Sequence, residues 1–99
     1  MESSTPPNRE EIVMVKVTIY TTRTCPFCHR AKYLLDKKKA VYEEIDVGND
    51  PARRQEMIQR SGRNTVPQIF INDFHVGGCD ELYELDLESK LDPLLDQPA

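Results

Sequence analysis

The feature that most limits the fold is a strand–helix–strand run in the N-terminal half. Val13, Val15, Val17 and Ile19 alternate with Met14, Lys16, Thr18 and Tyr20. A period of two predicts a strand with one firmly apolar face. A short polar loop, Thr21 to Thr24, leads to Cys25 and Pro26, and from there Ala31, Leu34 and Leu35 recur at helical spacing to about Lys38. Pro26 suits a first helical turn, where its missing N–H would have had no partner. Lys37, Lys38 and Lys39 complement the negative end of the helix dipole. A second strand is predicted over Val41 to Val47. Two strands joined through a helix form a parallel pair with a right-handed crossover. The chain is thereby committed to layers of helix against sheet.

The rest of the sequence completes that architecture. Gly48-Asn49-Asp50 turns the chain, Asp50 is an expected N-cap, and Pro51 opens a helix to Arg60 that Gly62 ends. Gln68 to Ile71 reads as a third strand, and Asn72-Asp73 turns it into a fourth at Phe74-His75-Val76. Gly77-Gly78 permits close backbone approach, and Asp80 is expected to cap a helix from Glu81 to about Ser89. Leu91, Leu94 and Leu95 are expected to pack as a last short segment before a fraying end at Gln97-Pro98-Ala99. The predicted order is β-α-β-α-β-β-α, an α/β fold with a four-stranded mixed sheet flanked by helices.

Composition sets the outer limits. Ninety-nine residues hold one domain, and 38% apolar against 30% charged residues is a globular balance. Residues 1–11, with small polar side chains, two prolines and charges, are expected to be a disordered leader to a domain at residues 12–96. No apolar run reaches the roughly 20 residues that span a bilayer. The leader lacks the apolar core of a secretory signal, so export is not expected. A net charge of −4 weighs against nucleic acid as a partner. The three cysteines, Cys25, Cys28 and Cys79, are an odd number and suggest no disulfide framework. The expected location is cytoplasmic, where cysteines are retained for reactivity or metal binding.

Cys25-Pro26-Phe27-Cys28 is a C-x-x-C at a strand-to-helix junction, and in a βαβ setting that spacing reads as a redox dithiol. Free N–H groups and the positive helix end converge at such a position and stabilise a thiolate. Cysteines so placed have pKa values of about 3.5–7.5 instead of about 8.5. Greater ionisation is offset by lower nucleophilicity, so attack gains little; the gain is in a thiolate that is readily expelled from a mixed disulfide. Cys28 lies one turn on and further inside, so Cys25 is expected to attack and Cys28 to resolve. A zinc site is the bland alternative, with His29 or His75 joining the cysteines, but the second matched ligand pair is missing. Both histidines otherwise read as structural or surface residues.

Three blocks carry a family resemblance: Thr24 to Lys32 (TCPFCHRAK), Arg60 to Asn72 (RSGRNTVPQIFIN) and His75 to Asp86 (HVGGCDELYELD). In this order they resemble a dithiol glutaredoxin of the thioredoxin superfamily, of the short bacterial glutaredoxin 3 type. With the Leu91 to Leu95 tail the match spans about residues 14–95. The resemblance implies a thioredoxin fold. It implies that Thr65, Val66 and Pro67 bind glutathione through backbone groups, with Pro67 cis, as an added strand binds a sheet edge. It places the γ-glutamyl end of glutathione at Gly78, Cys79 and Asp80, with Cys79 as a wall of the pocket.

Two positions depart from the family pattern. Phe27 stands where tyrosine is usual, which keeps a ring in the groove without its hydroxyl. Thr22 stands where a lysine usually holds the glycyl carboxylate. Arg23 is the nearest replacement cation, with Arg63 or Arg60 assisting.

The implied function is that of a glutathione-dependent thiol–disulfide oxidoreductase. It would reduce protein disulfides and protein–glutathione mixed disulfides through the Cys25–Cys28 redox pair. Glutathione is the expected co-substrate, no cofactor or metal is expected to be permanently bound, and a monomer is expected. Two alternatives stay open. One is reduction by thioredoxin reductase, which the missing lysine favours and the TVP and GCD motifs oppose. The other is a dimeric iron–sulfur carrier ligated by Cys25 and glutathione, which Pro26 disfavours.

Overall fold

A computed structural model describes residues 15–96. The expected leader at residues 1–11, Val13 and Met14 of the alternating run, and the tail from Gln97 to Ala99 lie outside the described residues. Within them the chain forms β1 (Val17–Thr21), α1 (Pro26–Lys37), β2 (Tyr42–Asp46), α2 (Pro51–Ser61), β3 (Gln68–Ile71), β4 (Phe74–Gly77), α3 (Cys79–Leu87) and α4 (Leu91–Asp96). The sheet order is β2-β1-β3-β4. β1 and β2 run parallel, with Ile19 opposite Glu44, as the helical crossover requires. β1 pairs antiparallel with β3, and β3 with β4, so the sheet is mixed. This is the expected thioredoxin-type architecture.

β1 is buried along its whole length. Its alternation divides it between two cores. Val17 and Ile19 join Ala31, Leu34 and Leu35 of α1, Ile69 and Ile71 of β3, and Leu82 of α3. Tyr20 faces the other way, with Ile45, Val47, Phe70 and Met57 of α2. The face that reads as polar in the sequence is thus covered as well. Tyr20 tolerates it because its hydroxyl donates to Glu56 and accepts from Arg60 Nη1 at 2.9 Å. A buried phenol needs such partners.

The helix ends follow local chemistry. Asp50 caps α2 by accepting from the Arg53 N–H at 3.1 Å, and Gly62 closes it with φ +74°, a left-handed conformation that favours glycine. At the end of α1, Lys38 reaches Asp86 at 2.7 Å and Asp92 at 3.1 Å, tying α1 to α3 and α4. One boundary differs from expectation. α3 starts at Cys79 with Gly78 as its N-cap, so Asp80 lies in the first turn and does not cap it. The capping carboxylate is that of Glu81, which accepts the Gly78 N–H at 2.7 Å. The leucine-rich tail is a separate short helix, α4, with Leu91 buried in the main core.

Candidate functional site

Cys25 is the N-cap of α1. Its backbone is extended, and its sulfur accepts the Cys28 N–H at 3.1 Å. Pro26 occupies the first turn, and the helix then carries Cys28 inward to full burial while Cys25 stays partly exposed. Both are free thiols. Burial, the hydrogen bond to Cys25 and the charge that Cys25 can carry together push the Cys28 thiol up to about 12. The inner cysteine therefore keeps its proton at neutral pH while the outer one faces solvent. That asymmetry assigns the two sulfurs different tasks.

Across from Cys25 lies the loop before β3. The Val66–Pro67 peptide is cis, as the resemblance implies, and the Cys25 S–H points to the Val66 carbonyl at 3.8 Å. Beside this pair opens a groove of about 190 Å3, lined by Phe27, Thr65, Val66, Pro67, Gly78, Cys79 and Asp80 together with Arg63, Gln68 and Glu81. Two parts of the chain that are distant in sequence, the TVP loop and the start of α3, thus face each other next to the dithiol. The two meet at Gly78, where a Cβ would lie 3.3 Å from Glu81 Oε1 and at an ordinary contact distance, 3.5 Å, from the Pro67 carbonyl.

Seven of the eight expected binding residues line this groove. Arg23 does not line it; it is exposed in the loop ahead of Cys25. The cation in the groove wall is Arg63, 3.8 Å from Glu81. Cys79 is 5% exposed, and burial, the largest cause, raises its pKa, as befits a wall residue that stays a thiol. Among the described residues no group of three or more His, Cys, Asp or Glu side chains is placed to hold a metal ion.

Sequence reasoning missed Gln68 and Glu81 as part of the groove. Gln68 had a signal: it is a polar residue at the head of an otherwise apolar strand, and it is 1% exposed. A buried amide needs partners, and their identity points to what it does. Glu81 could be found only from the backbone, because its role depends on the helix starting two residues earlier than expected.

The comparisons with known proteins agree with this geometry. The family model described as Glutaredoxin matches residues 17–76. Glutaredoxin 3 of Escherichia coli K12 is 57% identical over 82 residues, which cover 83% of this chain and 99% of that protein. Glutaredoxin 1 of Rickettsia typhi is 50% identical over 86 residues, covering 85% of this chain and 83% of that one. Among solved structures, the solution structure of glutaredoxin from Brucella melitensis superposes with a TM-score of 0.75 at 58% identity, covering 85% of this chain and 91% of that one. A crystal structure of a buckwheat glutaredoxin–glutathione complex gives a TM-score of 0.75 at 32% identity, over 82% and 76% of the two chains. The matched segment contains both the helix-start dithiol and the loop facing it, and the chain belongs to the glutaredoxin family of glutathione-dependent thiol–disulfide oxidoreductases, with Cys25 and Cys28 as its C-x-x-C pair.

Proposed function

We propose that the groove beside Cys25 binds glutathione and that the protein uses it to reduce both glutathionylated proteins and protein disulfides. The observation that carries this reading is the placement of Cys25 Sγ, 3.8 Å from the Val66 carbonyl and beside a groove whose far wall is the start of α3. An extended tripeptide laid along the TVP loop pairs its cysteinyl unit with Val66 and brings its sulfur to Cys25. Its γ-glutamyl carboxylate meets N–H groups at Gly78, Cys79 and Asp80, while its ammonium meets the Asp80 carboxylate. Phe27 walls the sulfur end. Arg23 from the preceding loop and Arg63 from the groove wall supply positive charge for the glycyl carboxylate. The buckwheat relative's complex with glutathione supports the same reading.

The chemistry then runs in two exchanges. The Cys25 thiolate attacks the glutathione sulfur of a protein–glutathione disulfide, forming a Cys25–glutathione bond and expelling the protein thiolate, which takes a proton. A second glutathione, as thiolate, attacks the glutathione sulfur on Cys25; glutathione disulfide leaves and the Cys25 thiolate is restored. The Cys28 N–H faces the charge on the departing sulfur. With a protein disulfide, Cys25 instead forms a mixed disulfide with the client. Cys28 then loses its proton and attacks Cys25 Sγ, expelling the client's second thiolate. Two glutathiones reduce the resulting Cys25–Cys28 disulfide and leave as glutathione disulfide. Electrons pass from glutathione to client throughout.

We further propose a domain spanning residues 12–96 that acts as a monomer in the cytoplasm, where the glutathione pool is kept reduced. No described helix is long and apolar enough to cross a membrane. The test is turnover of a glutathionylated peptide with glutathione and glutathione reductase, run beside thioredoxin reductase as the alternative electron source. Glutathione-driven turnover supports the reading; turnover with thioredoxin reductase alone overturns it.

A further inference from the structure

We propose that Gln68, held by His75, is a positioning residue that aims the Val66 N–H into the groove and so sets the affinity for glutathione. The proposal rests on the binding mode above and adds to it the device that orients the key donor.

Gln68 is 1% exposed, and its side-chain amide is fully engaged. Its Nε2 donates to the Thr65 carbonyl at 3.0 Å and to Thr65 Oγ1 at 3.1 Å. Its Oε1 faces His75 Nε2 at 2.7 Å. Two acceptors on the Thr65 side decide which end of the amide is nitrogen. The oxygen end must then face a donor, so His75 carries its proton on Nε2. His75 is itself fixed: its ring stacks on Phe70 with centroids 4.8 Å apart, and Phe70 is its pairing partner across β3 and β4. The Arg60 guanidinium lies 4.0 Å from the Phe70 centroid. The anchoring therefore runs from the sheet through His75 and Gln68 to Thr65.

Peptide geometry carries the anchoring one step further. The carbonyl of Thr65 and the N–H of Val66 belong to one planar trans peptide and point in opposite directions. A Thr65 carbonyl tied down to Gln68 leaves the Val66 N–H aimed away from it. Only the following bond, Val66–Pro67, is cis. Gln68 thus fixes the direction of the donor that the cysteinyl unit of glutathione pairs with. It does so without touching the reacting sulfurs.

Such a role changes binding and leaves chemistry alone, which separates it from general support of the fold. The test compares wild type with Gln68→Met, which keeps the volume and removes all three side-chain hydrogen bonds, and with His75→Phe, which keeps the ring on Phe70 and removes the donor. In the glutathionylated-peptide assay, Gln68→Met should raise the KM for glutathione about tenfold and His75→Phe about threefold. In both, kcat at saturating glutathione and the rate of Cys25 alkylation by iodoacetamide should stay within twofold of wild type. Backbone 15N relaxation gives a readout independent of turnover: the Val66 order parameter should fall from the rigid range, about 0.85, to below about 0.6 in Gln68→Met. An unchanged KM, an unchanged order parameter, or a parallel loss of kcat and alkylation rate overturns the proposal. If wild type shows no glutathione turnover, the binding mode fails on that result, and the order parameter alone still decides whether Gln68 holds the loop. Should Gln68→Met not fold, His75→Phe carries the same measurements.

Discussion

A single helical turn separates two cysteines with opposite surroundings. Cys25 is partly exposed at a helix end, and Cys28 is sealed beneath it with its thiol pushed up to about 12 by burial and by the Cys25 sulfur. The different exposures predict different mutant phenotypes. Cys25→Ser should abolish all thiol transfer while leaving the fold intact, because serine is a good N-cap and keeps an acceptor for the Cys28 N–H. Cys28→Ser should retain removal of glutathione from mixed disulfides, since glutathione resolves Cys25 itself, and should lose reduction of protein disulfides. The pH dependence follows from the same asymmetry. An acid held above its ordinary value of 9.0 gains thiolate about tenfold per pH unit below its pKa. Rapid-quench measurement of client release through Cys28 should therefore accelerate from pH 6 to pH 8; a plateau across that range would contradict a buried resolving thiol. The cations divide more finely. Under the proposed binding mode, an exposed, charge-assisted contact to the glycyl carboxylate would contribute about 1.5 kcal/mol, or roughly tenfold in kcat/KM, and would be screened by salt. Arg23→Ala and Arg63→Ala, assayed separately at low and high salt, show which of them makes it.

At the scale of elements, the site is the meeting of one helix start, one loop and a second helix start. Those that announce themselves locally were legible in the sequence: the C-x-x-C behind a strand, the Asp50-Pro51 opening of α2, and the Gly62 stop. Asp50→Ala should destabilise the protein by about 1 kcal/mol, measured by urea unfolding, because the Arg53 N–H loses its acceptor. The start of α3 was not legible in the same way. Asp80 is a good N-cap by residue type, yet Gly78 takes the position and Glu81 supplies the carboxylate. A Cβ at Gly78 would press on the Glu81 carboxylate at 3.3 Å, a contact set by how the chain folds into α3 and not by residue type. The burial of Thr18 and Tyr20 was hidden for a similar reason, since a strand's polar face gives no sign that α2 lies over it. Gln68 shows the limit most clearly: the sequence marks it as polar in an apolar strand, but only the fold brings Thr65 and His75 to its two ends.

For the whole molecule, the titrating groups predict a stability plateau. Burial, the largest cause, with Arg63 nearby holds His75 below its ordinary 6.5. The hydrogen bond from Tyr20, then that from Arg53, holds Glu56 below 4.5. Groups with depressed values contribute stability above their ordinary pKa and lose it as pH falls through the folded one. The raised values work the other way. Cys28 contributes below its ordinary 9.0 and loses the contribution as pH rises toward about 12. Tyr20, raised first by burial, behaves likewise above 10.0. Urea midpoints should therefore be flat between about pH 6.5 and pH 9 and fall on both sides; a maximum outside that window would contradict these assignments.

If Cys25 alone carries the glutathione intermediate, the pattern of modification in Cys28→Ser must show it. Cys28→Ser is treated with oxidised glutathione, digested without reductant, and mapped by mass spectrometry. Glutathione is expected on Cys25 and not on Cys79, which is 5% exposed and raised in pKa by burial. The same sample should regain free Cys25 when reduced glutathione is added. Glutathione found on Cys79 with Cys25 unmodified would contradict the assignment of the nucleophile and of the groove beside it.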